Sequence, residues 1–187
     1  MITLSMKRKY IIAIVTASMV IFVDQLTKWL VMNRMSMHDT IVVIPNFLSL
    51  HYLVNPGAAF GMFRDANENF RRVFFFLVGI FALGLVFYYL IKSDERKNFF
   101  PLFLSLVMGG ALGNIMDRIR LGEVTDFILL EATFMGEKAV AFLDKTFGTH
   151  YWPSFNVADS AIVVGIIGMA IDMLFFEQSD HTKNTKG

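Results

Sequence analysis

The chain of 187 residues contains no cysteine. That absence removes a disulfide framework, a thiol nucleophile and any thiolate metal site, and it leaves the redox compartment unreported. Histidine is scarce and scattered. His38, His51, His150 and His181 have no ligand-spaced neighbours, so neither a metal nor any other cofactor is expected. No serine stands in a nucleophile elbow, no glycine-rich phosphate loop follows a strand, and Ser160 has no base near it in sequence. Net charge is low at +1, and the lysines and arginines form no stripe, which argues against a nucleic-acid partner. Carboxylates are what remains for chemistry.

Apolar residues are abundant: 55% of the chain, with 20 Phe and 12 Met. A soluble domain of this length would alternate apolar stripes with polar faces, whereas here the apolar residues run on without interruption. Four spans follow, at about 10–31, 73–91, 99–116 and 158–176. Lys7, Arg8 and Lys9 before the first run resemble the head of a secretory signal. The run is too long for one, at roughly 20 residues against a bilayer core of about 30 Å, and no small-residue cleavage site follows. It reads as a retained first crossing. Four crossings put both termini on one side, and Lys92, Arg96, Lys97, Lys183 and Lys186 join the first cluster there, so that side reads as cytoplasmic. The tail at 178–187 reads as disordered, and the chain as a single membrane-embedded domain over 1–187.

Between the first two spans, Ile41 to Ile44 and Phe47 to Val54 are β-leaning runs parted by Pro45-Asn46, and Asn55-Pro56-Gly57 marks a turn. The expected fold is an all-α membrane bundle of four transmembrane helices carrying a small extracytoplasmic β-sheet. Glu137 to Phe147, bracketed by Gly136 and Gly148, adds a helix of about three turns, too short to span and flanked by Phe134, Tyr151 and Trp152. It reads as a short interfacial helix.

Polar residues inside or beside the apolar runs need a reason, because an unpaired carboxylate near hydrocarbon costs several kcal/mol on most estimates. Asp24 and Lys28 are four apart with the acid first, the favoured order for a helical ion pair. Either they neutralise one another while Lys28 snorkels outward, or they serve the chemistry. Gly110, Asn114 and Asp117 share one stripe of the third span, where small residues admit a neighbouring helix and the amide and acid follow the packed face. Near the start of the fourth span, Asn156 and Asp159 are three apart. Asp126 is the candidate partner of Asp159: two neighbouring carboxylates share a proton, and such a pair can activate water and protonate a peptide carbonyl without a metal. A transporter or proton relay, and a scaffold held together by polar contacts, are the competing readings.

Five blocks stand in order: Asp24 to Lys28, Asn55 to Gly61, Gly109 to Arg118, Val124 to Phe127, and Phe155 to Asp159. Together they closely resemble the lipoprotein signal peptidases, the type II signal peptidases of bacteria, over nearly the whole chain. The resemblance implies a four-span aspartyl endopeptidase of the bacterial cytoplasmic membrane with its active site at the extracytoplasmic face. Its substrates would be prolipoproteins carrying diacylglycerol on a cysteine, cut just before that cysteine, by an enzyme working as a monomer. Asp126 and Asp159 match the catalytic pair; Asn55, Asn114, Arg118 and Asn156 match substrate-site positions; Asp24, Lys28, Gly57 and Asp117 match supporting ones. Glu131 to His150 is an apparent insertion relative to the family.

Overall fold

A computed structural model describes residues 7–56, 66–93 and 99–175. The turn residue Gly57 and the tail at 178–187 lie outside the described residues. Four long helices are apolar enough to cross a membrane: α1 (Arg8–Arg34), α2 (Glu68–Lys92), α3 (Phe99–Leu121) and α5 (Val157–Phe175), with the shorter α4 (Glu137–Phe147) before the last. A backbone in lipid has no water to bond, so a helix, which satisfies its own N–H and C=O groups, is the form such runs must take. Every one of the four starts earlier than, or runs beyond, its apolar run. In α3 the extra turn carries Asp117 and Arg118 into the helix, because Ile115, Met116 and Ile119 keep its pattern going past the last glycine.

The chain forms two compact units. The first comprises Met1–Asp24, Phe76–Met116 and Val157–Gly187. Its core is built from Ala13 and Ala17 of α1, Leu83, Val86 and Leu90 of α2, and Leu104, Val107, Met108, Ala111 and Ile115 of α3. Helix α3 is its centre: 61% of its most apolar stretch is buried, against 17%, 17% and 22% for α1, α2 and α5. Small residues permit that packing. A Cβ on Gly109 would meet Val20 and the Ala17 backbone, and one on Gly110 would stand 2.3 Å from the Ala158 carbonyl oxygen. From the other side Gly165 and Gly168 of α5 admit Phe103 and Val107 of α3. Lys9, one of the basic residues ahead of the first span, is buried, its Nζ donating to the carbonyl oxygens of Ile91 and Ser93 at 2.7 and 2.8 Å. It closes the end of α2, where orphan carbonyls and the negative pole of the helix dipole favour a cation.

The second unit comprises Gln25–Phe75 and Asp117–Asn156. It holds a three-stranded antiparallel sheet in the order β1 (Thr40–Ile44), β2 (Leu48–Asn55), β3 (Val124–Leu130). The first two strands are the pair the sequence suggests, joined at Asn46, whose φ of 64° suits an asparagine in a tight turn. The third was not foreseen as a strand. Val124, Thr125, Asp126 and Phe127 are all buried, so β3 lacks the alternation that marks a half-exposed strand. Its far side is stitched to Phe155, whose carbonyl accepts the N–H groups of Phe127 and Ile128 at 3.0 and 2.8 Å and whose own N–H donates to Ile128. The segment Glu131 to His150 is tied in as well. Ala132 N–H donates to the His150 carbonyl, Glu131 bridges Tyr151, and α4 ends on Gly148 in the left-handed conformation.

The close approach at Gly110 makes a prediction. Gly110→Ala should lower the thermal midpoint by several degrees, since overpacking against a backbone atom costs about 1–3 kcal/mol. Gly84→Ala, where a Cβ meets nothing within 4 Å, should leave it unchanged or raise it slightly. Thermal unfolding of both variants in one detergent checks the contrast, and equal midpoints would mean that α3 and α5 yield at that contact.

Candidate active site

Asp126 lies in β3 and is 3% exposed. In the β2–β3 register Leu53 stands opposite Asp126 and Asn55 opposite Val124, so Asn55 is the diagonal neighbour of Asp126 on the same face, within reach of its side chain. Its Nδ2 donates to Asp126 Oδ2 at 2.8 Å. The other carboxylate oxygen, Oδ1, accepts from Asn156 Nδ2 at 2.7 Å, and the same amide also reaches the Thr125 carbonyl at 3.3 Å. Asn156 arrives there because the Phe155 bridge fixes the chain beside β3 one residue before. It is wholly buried. Each oxygen of Asp126 is therefore oriented by an amide donor, Oδ2 by Asn55 and Oδ1 by Asn156.

Asp159 sits in the first turn of α5, where unsatisfied backbone N–H groups favour a carboxylate. Asn114 of α3 donates to its Oδ1 at 2.7 Å. The stripe on α3 explains the contact: Gly110 lets α5 approach at Ala158, and Asn114, one turn on, then meets the residue that follows. Asp24 of α1, with no measurable exposure, accepts the Ala158 N–H at 2.9 Å and so caps the same helix start from a neighbouring element. A Cβ on Gly113 would stand 2.7 Å from Asp24 Oδ2, which accounts for the glycine.

Asp117 takes a different partner. Lys28, 1% exposed, places Nζ 2.8 Å from Asp117 Oδ2, and Gln25 Nε2 donates to Oδ1 at 2.9 Å. Lys28 thus does not snorkel outward; a buried acid holds it in. Gln25 in turn accepts from Arg120 at 2.8 Å, extending a chain of polar contacts between α1 and α3. Neither Gln25 nor Arg120 was singled out as functional, although Gln25 stands next to Asp24 and four residues before Trp29 in an otherwise apolar run. Arg118, half-buried, stands one turn beyond Asn114 on α3. The residues drawn together are thus Asp126 with Asn55 and Asn156, Asp159 with Asn114, and Asp117 with Lys28.

Among the described residues no group of three His, Cys, Asp or Glu side chains could hold a metal ion. His51 shares a hydrogen bond with Thr40 at 2.7 Å, and His150 one with Asp144 at 2.9 Å. Two concave regions flank the sheet. One, of about 610 Å³, is lined by Thr40, Ser49, His51 and Leu53 together with Tyr151 and Trp152. The other, of about 490 Å³, lies between Phe47, Phe134, Leu143, Phe147 and Trp152.

Residues 16–175 match the signal peptidase (SPase) II family. The lipoprotein signal peptidase of Syntrophus aciditrophicus is 39% identical over 169 residues, covering 90% of this chain and 96% of that protein. That of Geobacter metallireducens is 36% identical over 179 residues, covering 96% and 100%. A solved bacterial membrane enzyme structure, obtained by the in meso method at 2.3 Å, superposes with a TM-score of 0.69 at 33% identity, covering 90% of each chain.

The Lys28–Asp117 pair makes its own prediction. Lys28→Met should destabilise the protein by about 3–5 kcal/mol, because it leaves a buried carboxylate without its cation. Lys28→Met with Asp117→Leu should recover much of the loss, since apolar residues of similar size often replace a buried pair without penalty. Thermal unfolding of the single and double variants decides it; a single variant as stable as the parent would show that the pair contributes no net stability.

Proposed function

Because the chain belongs to the lipoprotein signal peptidase (signal peptidase II) family, we propose that Asp126 and Asp159 are the two acids of its reaction. It is an aspartic peptidase of the bacterial membrane that removes signal peptides from prolipoproteins. Nothing in these relationships favours transport. The observation that carries the assignment is the fixed geometry of Asp126: its two oxygens are each held at under 3 Å by a separate amide, Asn55 and Asn156. A carboxylate set in one orientation is ready to take a proton from water. Asp159 stands three residues after Asn156 in the chain. In the proposed reaction one carboxylate, ionised, removes a proton from water while the other, protonated, gives its proton to the scissile carbonyl oxygen. Water oxygen bonds to the carbonyl carbon; as the tetrahedral intermediate collapses the C–N bond breaks, the leaving nitrogen collects a proton from the acid that took one first, and a hydroxyl of the intermediate returns a proton to the other acid as the new C=O forms.

Asn114 and Arg118 line the substrate path in this proposal, with Asn55 and Asn156 doing so as well as orienting Asp126, while Asp24, Lys28, Gly57 and Asp117 support the frame. The substrate is a prolipoprotein bearing diacylglycerol, cut just before its lipidated cysteine, with the sheet and its 610 Å³ hollow cradling the peptide. Both units are parts of one peptidase domain that works as a single chain without nucleic acid. Both termini face the cytoplasm and the chemistry takes place at the other face. Supporting that orientation, short basic segments cluster with the termini.

Helix α4 has no buried residue, and Phe142, Phe147, Phe134 and Trp152 are exposed around it. Rings so placed suit the headgroup level, and α4 is proposed as a cover beside Asp126 that shifts to admit lipidated substrate.

Asp126→Asn and Asp159→Asn should each lower cleavage of a lipidated prolipoprotein peptide by at least about 10²-fold while the thermal midpoint stays near the parent's, since Asn keeps the shape but cannot exchange the proton. Substantial turnover by either removes that acid from the mechanism. The cysteine-free chain also suits side-specific labelling. A membrane-impermeant maleimide added outside intact cells should modify Ser154→Cys and spare Ser93→Cys; the reverse pattern would invert the orientation. Deleting 136–148 in favour of a short Gly/Ser linker should alter KM for lipidated peptide in a protein that still folds, and unchanged kinetics would reduce α4 to a connector.

A further inference from the structure

Asp172 is an acid that the proposed reaction does not use. It lies near the end of α5, 8% exposed, four and seven residues after Gly168 and Gly165. Those glycines admit Phe103 and Val107 of α3, so Asp172 shares the closely packed face of the helix, which is why it is buried. Among the described residues it has neither a hydrogen bond nor an ion pair. The Lys9 ammonium donates to the carbonyls of Ile91 and Ser93, and Lys92, an exposed residue of the same cavity lining, lies 4.6 Å from the centroid of the Tyr88 ring.

Asp172 also lines a cavity of about 780 Å³ among α2, α3 and α5, otherwise apolar apart from Tyr89, Lys92 and Ser93 at one end. That volume takes roughly two turns of an apolar helix about 10 Å across. The α5 wall of the cavity runs from Ile166 to Met173, through Met169, Ala170 and Asp172, beginning about two turns after Asp159. Asp172, on the neighbouring face that packs on α3, adds a buried carboxylate to the same cavity wall. From Asp159 to Asp172 the helix advances 13 residues, or about 20 Å at 1.5 Å each.

An occupant that reaches from a cleavage point at Asp159 to Asp172 is therefore apolar for about 20 Å, with about two of its turns in the cavity, and then cationic. A signal peptide has that pattern, with a basic n-region followed by an apolar h-region of 7–15 residues, about 10–22 Å if helical. We propose that the cavity receives the h-region of the prolipoprotein signal peptide and that Asp172 pairs with a Lys or Arg of its n-region, measuring the distance from basic head to cleavage site. The inference rests on the proposed role of Asp159 and on the cytoplasmic placement of the termini.

The test uses the full-length protein in nanodiscs and two lipidated prolipoprotein peptides, one with a lysine n-region and one with those lysines replaced by glutamine. For the parent enzyme the neutral peptide should show a KM roughly three- to tenfold higher at similar kcat, the scale of a partly desolvated ion pair. Asp172→Asn should raise KM for the lysine peptide to the same level and be indifferent to the exchange, whereas Asp172→Glu, which keeps the charge, should retain the preference. Asp172→Lys should prefer a peptide with a glutamate n-region. If the parent does not discriminate, or if the Asn variant discriminates as the parent does, the proposal falls. An equal KM rise on both peptides would also overturn it, assigning Asp172 to packing or to a lipid. Cleavage of the neutral peptide by the parent reports catalysis separately, and the maleimide pattern reports orientation, so a failure of either premise is told apart from a failure of the pairing.

Discussion

A carboxylate removed from water must be given donors, and most of the polar architecture of this chain follows from that requirement. Each buried acid draws a different answer from its surroundings. Asp117 receives an ammonium from Lys28 and an amide from Gln25, Asp24 receives the backbone N–H of Ala158, Asp126 receives two amides, and Asp159 receives one from Asn114. An acid bonded to a buried ammonium is fixed as an ion, and removing either partner costs several kcal/mol. The amides at Asp126 and Asp159 orient each carboxylate by hydrogen bonding.

The glycines serve the same end by another route. Gly110 brings the start of α5 against α3, and the contact between Asn114 and Asp159 depends on that approach. Gly113 clears room for the Asp24 carboxylate, which in turn closes the open N-terminus of α5. Replacing interior side chains by hydrogen removes dispersion contacts, yet it lets backbones come close enough for short polar side chains to reach across. The stripe Gly110, Asn114, Asp117 is thus one device: approach, then an amide, then an acid tied to a cation.

The excursion from Glu131 to His150 leaves the edge of the sheet and returns to it at the same place. Ala132 and His150 are hydrogen-bonded, and Glu131 faces Tyr151. Residues 133–149 can therefore vary without moving Phe155 off β3, and the position of Asn156 is protected from them. The aromatic residues of this excursion stay exposed, which in water would be a liability and at a headgroup layer is an anchor.

The sequence by itself determined the four crossings, the β1–β2 pair, the extent of α4 between its two glycines, and the residue types from which the acids and their donors are drawn. These are local facts: hydrophobic length, turn chemistry and helical spacing all act within a few residues. Only the tertiary structure decided who holds whom. That Lys28 answers to Asp117, 89 positions away in the chain, rather than pointing outward, depends on how α1 and α3 pack. That Val124 to Leu130 is a strand depended on β2 and Phe155 being there to accept its hydrogen bonds, since a run buried on both faces carries no period to read. Asp172 was visible as an interruption of an apolar run, but its meaning required the cavity beside it, which exists only once three helices have met.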